Sequence, residues 1–254
     1  YDSDVRKKIG DYLAEAHNGR VSAFFPFFPE GPLVRVHFIV GRLQGEIANP
    51  ERAAMEETVT GIVRTWTDGL EEALAETYDP PKARALFAQY REAFAPGYRE
   101  AYSPAEAVEG IRVIENLSAD RPLSADFHRR LSDDGACIGL KVWSHNRPIP
   151  LSERVPVLEN MGFRVVDELT YRIALGTPEE PDVWFHDMLL ELAGEVDLVK
   201  RKQALEACFV VVMTGGAESD GYNALVFAAD LMWRDVALVR TLSRFLRQIR
   251  LPYS

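Results

Sequence analysis

The sequence predicts an α+β fold in which one plan is used twice, each copy an antiparallel sheet packed on one side by helices. Three observations carry that expectation. Residues 4–76 run helix, strand, strand, helix. Residues 124–213 run strand, strand, helix, strand, strand, helix. Short Gly- and Pro-bearing turns, not long crossovers, join the first paired strands of each copy.

The chain opens Tyr1-Asp2-Ser3-Asp4 and enters a helix at once. Ser3 or Asp2 can cap it, and Val5, Ile9, Leu13 and Ala16 recur at helical spacing. With no initiator Met and no leading strand, this reads as a piece cut from something longer. His17-Asn18-Gly19 is the stop, because Asn and Gly tolerate the left-handed backbone that closes a helix. Val21 to Phe28 is an aromatic strand ending in prolines. Leu33 to Val40 alternates, with Val34, Val36, Phe38 and Val40 on one face, and Glu30-Gly31-Pro32 turns between them. Asn49-Pro50 then opens one long helix whose apolar stripe is Met55, Val59, Ile62, Val63, Trp66, Leu70 and Leu74.

Residues 81–117 are helical, and Ser103-Pro104-Ala105-Glu106 is a capping box. Asp120-Arg121-Pro122 is a linker. The second copy reads strand 124–131, strand 136–143, helix 152–161, strand 163–175, strand 182–191 and helix 196–213. Asp133-Asp134-Gly135 is its hairpin turn and Gly162 its helix stop. This is most of the ferredoxin-like plan, with strand 124–131 supplying the fourth strand. In the first copy the opening strand of that plan is missing before Tyr1. Residues 219–250 form two more helices. The first is apolar through Ala224, Leu225, Phe227 and Ala228; the second begins near Trp233 and buries Val236, Val239, Leu242, Leu246 and Ile249. The boundaries expected are 1–78, 79–120, 121–195 and 196–254.

Charge excludes one class of partner. The 254 residues carry a formal charge of −10, which disfavours nucleic acid. The charge is uneven: residues 200–254 hold 8 Lys+Arg against 5 Asp+Glu, and the rest hold 21 against 34. No apolar run approaches the roughly 18–20 residues a membrane helix needs, so no membrane partner is expected. Cys137 and Cys208 read as buried reduced thiols of a cytoplasmic protein.

Chemistry-bearing motifs are scarce. There is no Gly-x-Gly, no lysine after a glycine-rich loop, no Cys-x-x-Cys, no His-x-x-x-His and no Gly-x-Ser-x-Gly. His186-Asp187 is the strongest acid–base candidate, but adjacent strand residues point to opposite faces and a half-exposed His there is structural. His128 and His145 are isolated in the same way, and Ser152 is a helix N-cap. The expectation is that this stretch holds no catalytic, cofactor-binding or metal-ligating residue.

Several collinear runs resemble the middle of the very large bacterial NAD-specific glutamate dehydrogenases. They are Arg35-Val-His-Phe-Ile-Val40, Phe94-Ala-Pro-Gly-Tyr-Arg-Glu100, Ser103-Pro104-x-Glu106-Ala107, Pro148-Ile-Pro-Leu-Ser152, Leu158-Glu-Asn-Met-Gly162 and Val183-Trp-Phe-His-Asp187. The fullest are Asp220-Gly-Tyr-Asn-x-Leu225, Trp233-Arg-x-Val-Ala-Leu238 and Phe245-Leu-Arg-Gln248. The resemblance implies two ACT-type ferredoxin-like units with helical segments, upstream of a catalytic domain that oxidatively deaminates L-glutamate to 2-oxoglutarate and ammonium with NAD. It implies no cofactor in this stretch and NAD for the parent. The partners it implies are the remainder of the polypeptide and other subunits of a homo-oligomer. An amino-acid effector is expected at the loop Ser144-His145-Asn146-Arg147-Pro148, with Arg147 on its carboxylate and Asn146 on its ammonium. The last helix offers an interface: Arg240, Arg244 and Arg247 line one side with Phe245 nearby. The alternatives are a free-standing ACT-like amino-acid-binding module and a small enzyme built on His186-Asp187.

Overall fold

The computed structural model describes residues 3–27, 34–42, 50–130, 137–175, 181–192 and 197–249. Its elements run α1 (Ser3–Ala16), β1 (Gly19–Phe27), β2 (Arg35–Arg42), α2 (Arg52–Val63), α3 (Trp66–Thr77), α4 (Pro80–Tyr90), α5 (Pro96–Ala101) and α6 (Pro104–Ile114). They continue β3 (Leu123–Arg129), β4 (Cys137–His145), α7 (Leu151–Asn160), β5 (Phe163–Ile173), β6 (Val183–Leu192), α8 (Leu198–Met213), a 3₁₀ turn at Gly221–Ala224, α9 (Leu225–Ala228) and α10 (Trp233–Gln248). Two compact units result, residues 1–69 and 70–254.

In the first unit β1 and β2 form an antiparallel pair, and α1 packs on one face of it. Gly10 faces the pair, where a Cβ would lie 3.4 Å from the side chains of Phe38 and Val21. Asn18 takes the left-handed backbone (φ 46°) that ends the helix. The single long helix expected over 50–76 is two helices. Arg64 leaves the helical region, and the hydroxyl and amide of Thr65 both donate to Asp68 Oδ2, at 2.7 and 2.9 Å. The Asp68 amide donates back to the Thr65 hydroxyl, so a fresh cap restarts the chain as α3. Apolar periodicity runs straight through that break, which is why it was hidden. The stripe on α2 is at most half-buried, and Val63 is exposed. The turn at Glu30-Gly31-Pro32 and residue Asn49 lie outside the described residues, as does Asp133-Asp134-Gly135.

The second unit is built on a four-stranded antiparallel sheet in the order β3-β4-β6-β5. β3 occupies the edge that the closing strand of a ferredoxin-like fold would fill, as the sequence implied, but enters from before the plan. One sheet face, with Leu140, Val142, Met188 and Leu190, packs under α7 and α8 through Leu158, Leu205 and Phe209. At about 25 cal/mol per Å² of apolar area, this closed cluster is the main source of the unit's stability. Gly162 (φ +93°) follows α7 at the expected stop.

Helices on one side only is a correction the structure makes. The other face carries Val183, Phe185 and Asp187, all buried. It is covered by the segment α4–α6: Tyr98 and Tyr102 meet Tyr171 and Phe185 edge-on, at ring separations of 5.4–5.8 Å. Backbone pairing at Phe94–Ile173 and the Ala174 amide on the Ala93 carbonyl fasten the segment to the end of β5. The capping box at Ser103 and Glu106 is present in full and starts α6. Continuously apolar or aromatic strand sequence on both faces marks this kind of two-sided burial.

Candidate functional site

Three polar groupings lie around the four-stranded sheet of the second unit. One surrounds the β4–α7 loop. Here Asn146 takes a left-handed backbone (φ 68°), its amide donates to the Asp182 carbonyl at 2.8 Å, and the Ser144 hydroxyl donates to the Arg147 carbonyl at 2.7 Å. Beside this tight turn lies an open cavity of about 370 Å³, lined by Asn146, Arg147 and Ile149 from the loop, Pro122 and Leu123 from the start of β3, and Met213 and Thr214 from the end of α8. Both expected effector residues therefore line one cavity. The Arg147 guanidinium already has a carboxylate, donating to the two oxygens of Glu153 at 3.3 and 3.0 Å. Both side chains are largely exposed, so that pair is an exchangeable one.

A second grouping is buried between α7 and the sheet. Arg154 on α7, Glu168 and Thr170 on β5 and His186 on β6 form one cluster. Arg154 donates to the Ile149 carbonyl at 2.5 Å and to Glu168, and lies 2.7 Å from His186 Nδ1; its Nε has no hydrogen-bond partner. His186 Nε2 accepts from the Ile149 amide at 3.3 Å. Burial, aided by the adjacent Arg154 charge, pushes the His186 imidazole down to about 4, so it is neutral near pH 7. Burial works to raise the Glu168 carboxyl, but hydrogen bonds from Thr170 and Arg154 hold it below its ordinary value.

The third grouping is on the opposite face. Tyr102 donates to Asp187 Oδ2 at 2.5 Å, Arg130 stands 3.6 Å from Oδ1, and Oδ1 itself accepts no hydrogen bond. Burial and then the Asp187 carboxylate push the Tyr102 phenol well above its usual range. His186 and Asp187 do point to opposite faces, but both are buried, which corrects the half-exposed expectation. They face separate partners and form no acid–base pair.

Other expected roles also change. Ser152 is the second residue of α7, whose N-cap is Pro150. His128 is not isolated: its Nδ1 lies 3.5 Å from Asp126 Oδ2 and its ring lies over Gly139, where a Cβ would meet Nε2 at 2.2 Å. Cys208 is buried, which pushes its thiol up to about 11, while Cys137 is half-buried; both are free. Among the described residues no three His, Cys, Asp or Glu side chains are placed to hold a metal, and no helix is long and apolar enough to cross a membrane.

The arginine stripe of α10 is divided. Arg240 is buried and donates to Asp220 through Nε (2.8 Å) and Nη2 (2.9 Å), and to Asn223 Oδ1 at 2.6 Å. Arg244 binds Glu218 bidentately, and Arg247 is exposed. Two of the three guanidiniums thus hold α10 to its own unit. Leu242 and Ile249, expected to be buried, are exposed, and with Leu238 and Phe245 they form an apolar stripe at i, i+4, i+7, i+11. Asp220 and Asn223 were missed as anchors because a 3₁₀ turn places them under α10 with no helical periodicity to show it, and the buried Val226 because α9 is a single turn.

Comparison with known proteins gives a consistent set of matches in chain order. Models of glutamate dehydrogenase domains match in tandem: the ACT2 domain over residues 1–67, helical motif 2 over 73–117, the ACT3 domain over 122–203 and helical motif 3 over 217–254. Similar curated proteins include the NAD-specific glutamate dehydrogenases of Pseudomonas aeruginosa (34% identical), Halomonas elongata (30%) and Mycobacterium tuberculosis (29%). Each alignment takes in 100% of this chain and 16% of the relative.

Proposed function

The chain belongs to the glutamate dehydrogenase family, as the stretch from its second ACT domain to its third helical motif, and from that premise we propose that it is a non-catalytic regulatory and assembly segment. The observation that carries this reading is the tandem order itself: ACT-type unit, helical segment, ACT-type unit, helical segment. The parent would be a cytoplasmic, homo-oligomeric enzyme that oxidises L-glutamate with NAD, releasing 2-oxoglutarate and ammonium. This chain's own residues do not fit NAD. Both sheets are antiparallel, the described strand-to-helix loop Ser144–Pro150 has no glycine, and no Gly-x-Gly occurs anywhere in the sequence. On this reading NAD and the reacting groups are held by other parts of the parent.

Regulation is assigned to the cavity beside Asn146 and Arg147. A small amino acid would bind by drawing Arg147 off Glu153 onto its own α-carboxylate, a like-for-like exchange of bidentate partners. Assembly is assigned to the exposed stripe Leu238, Leu242, Phe245 and Ile249, with Arg247 at its rim. The test is made in the full-length enzyme with a panel of amino acids, by calorimetry and by turnover. Arg147→Ala should abolish or weaken at least tenfold the response to the active amino acid while leaving turnover without effector unchanged. Loss of turnover without effector, or no heat from any amino acid other than the substrate L-glutamate with the wild type, overturns the effector reading.

A further inference from the structure

The two sheets carry the same irregularity at the same place. β1 slips register between Val21 and Ala23, and β5 slips between Val165 and Asp167. Each slip follows three residues of strand, each strand follows a left-handed residue (Asn18, Gly162), and each such residue lies two positions past a helix end. Setting the bulges against one another aligns the cross-strand pairs. Ala23↔Ile39 falls on Asp167↔Leu189, Phe25↔His37 on Leu169↔Asp187, and Phe27↔Arg35 on Tyr171↔Phe185.

Those positions form the outer face of each sheet, away from α1 or α7. In the second unit that face is covered by the helical segment that precedes it, with Tyr98 and Tyr102 on Tyr171 and Phe185 and the Tyr102 hydroxyl on Asp187. In the first unit it is open: Phe25 is 58%, Phe27 59% and Ile39 51% exposed. Three large apolar side chains together on a sheet face are an interaction surface, not a solvated one.

We infer that the outer face of β1–β2, around Phe25, Phe27 and Ile39, seats a helical segment of the same polypeptide that precedes this unit as α4–α6 precede the other sheet. The matched models are numbered from two and run in chain order, and the chain covers 16% of each relative's length; the inferred occupant is a first-numbered helical motif on the upstream side. The chemistry of the occupant follows from the aligned positions. Where the covered face offers a carboxylate to a tyrosine hydroxyl, the open one offers His37 and Arg35. The occupant therefore presents an aromatic stripe together with an oxygen acceptor, a carboxylate or carbonyl, to meet those two donors.

The experiment places the photo-crosslinking residue p-benzoylphenylalanine at Phe25, and separately at Ile39, in the full-length enzyme, with exposed Val199 as the comparison position. Two positions are used so that failure to fold at one leaves the other. The expected result is an intrachain link to a peptide upstream of residue 3, with no dimer-sized band on a denaturing gel. A dimer-sized band, a link to residues after 254, or no link from a folded variant overturns the inference.

Discussion

Arg154 on α7 donates to the Glu168 carboxylate on β5, at the two positions where the first unit carries Gly10 and Phe24. Bulge alignment extends the comparison: Thr170 and His186 stand where the first unit has Pro26 and Val36. The same scaffold is thus filled once with apolar groups and once with a buried ion pair and an imidazole. The fold does not require the polar cluster.

Truncating one partner should therefore hurt more than converting all of them. Arg154→Met leaves Glu168 buried without its cation and should cost about 3 kcal/mol. Arg154→Met with Glu168→Leu and His186→Val removes every group that needed pairing and should recover most of that loss. Urea unfolding of the single and triple variants measures both. A triple variant no more stable than the single one would mean the cluster holds the unit together.

His186 gives the acid limb a defined window. Its folded value lies near 4, below the ordinary 6.5, so the unfolded chain binds the extra proton between them. Stability from keeping it neutral is complete above about pH 6.5 and is lost as pH falls toward 4. The sum is on the order of 3 kcal/mol. His186→Gln should flatten the urea midpoint over pH 4–6.5 relative to wild type, while the loss below pH 4 from carboxylates such as Asp126, held down to about 2 mainly by its His128 hydrogen bond and also by Lys202, persists.

Arg240 and Arg247 should separate cleanly. Arg240→Met strands Asp220 and Asn223 under α10 and should destabilise the second unit by about 3 kcal/mol. Arg247→Glu should leave unfolding unchanged within about 0.5 kcal/mol. In the full-length enzyme Leu242→Asp with Phe245→Asp should lower assembly measured by sedimentation, with the monomer still folded. A charge reversal at Arg240 and Arg244 would not test assembly, because it breaks α10 from its own unit first.

Tyr102→Phe removes the hydroxyl that binds Asp187 and leaves that buried carboxylate, among the described residues, Arg130 at 3.6 Å. The expected loss is about 2 kcal/mol, with Tyr102→Phe plus Asp187→Leu recovering at least half. Denaturant titration followed by tyrosine fluorescence reads both.

Local chemistry was the most legible part of the molecule. Asn18, Ser103 and Gly162 end or start helices because of their own side chains or lack of one, and they do so where expected. What stayed hidden depended on partners distant in sequence. Arg240 looked like a surface charge because Asp220 and Asn223 lie 20 and 17 residues away in a 3₁₀ turn. His186 looked half-exposed because its cover comes from α7, through Arg154 and Ile149. The loop around Arg147 stood out by its residue types alone, whereas its pairing with Glu153 depends on how the loop folds back on the first turn of α7. The face shared by Tyr102 and Asp187 was missed because residues 85 positions apart leave no periodic signal.

Because β3 enters the sheet before the ferredoxin-like plan instead of closing it, the sheet and its α7–α8 layer begin and end at one corner, inside the unit that α4–α6 and α9–α10 complete. Leu123 and Met213, the first residue of β3 and the last of α8, line the same cavity as Asn146 and Arg147. A molecule wedged there would touch the start of β3, the loop after β4 and the end of α8 at once, joining three segments that are far apart in the chain.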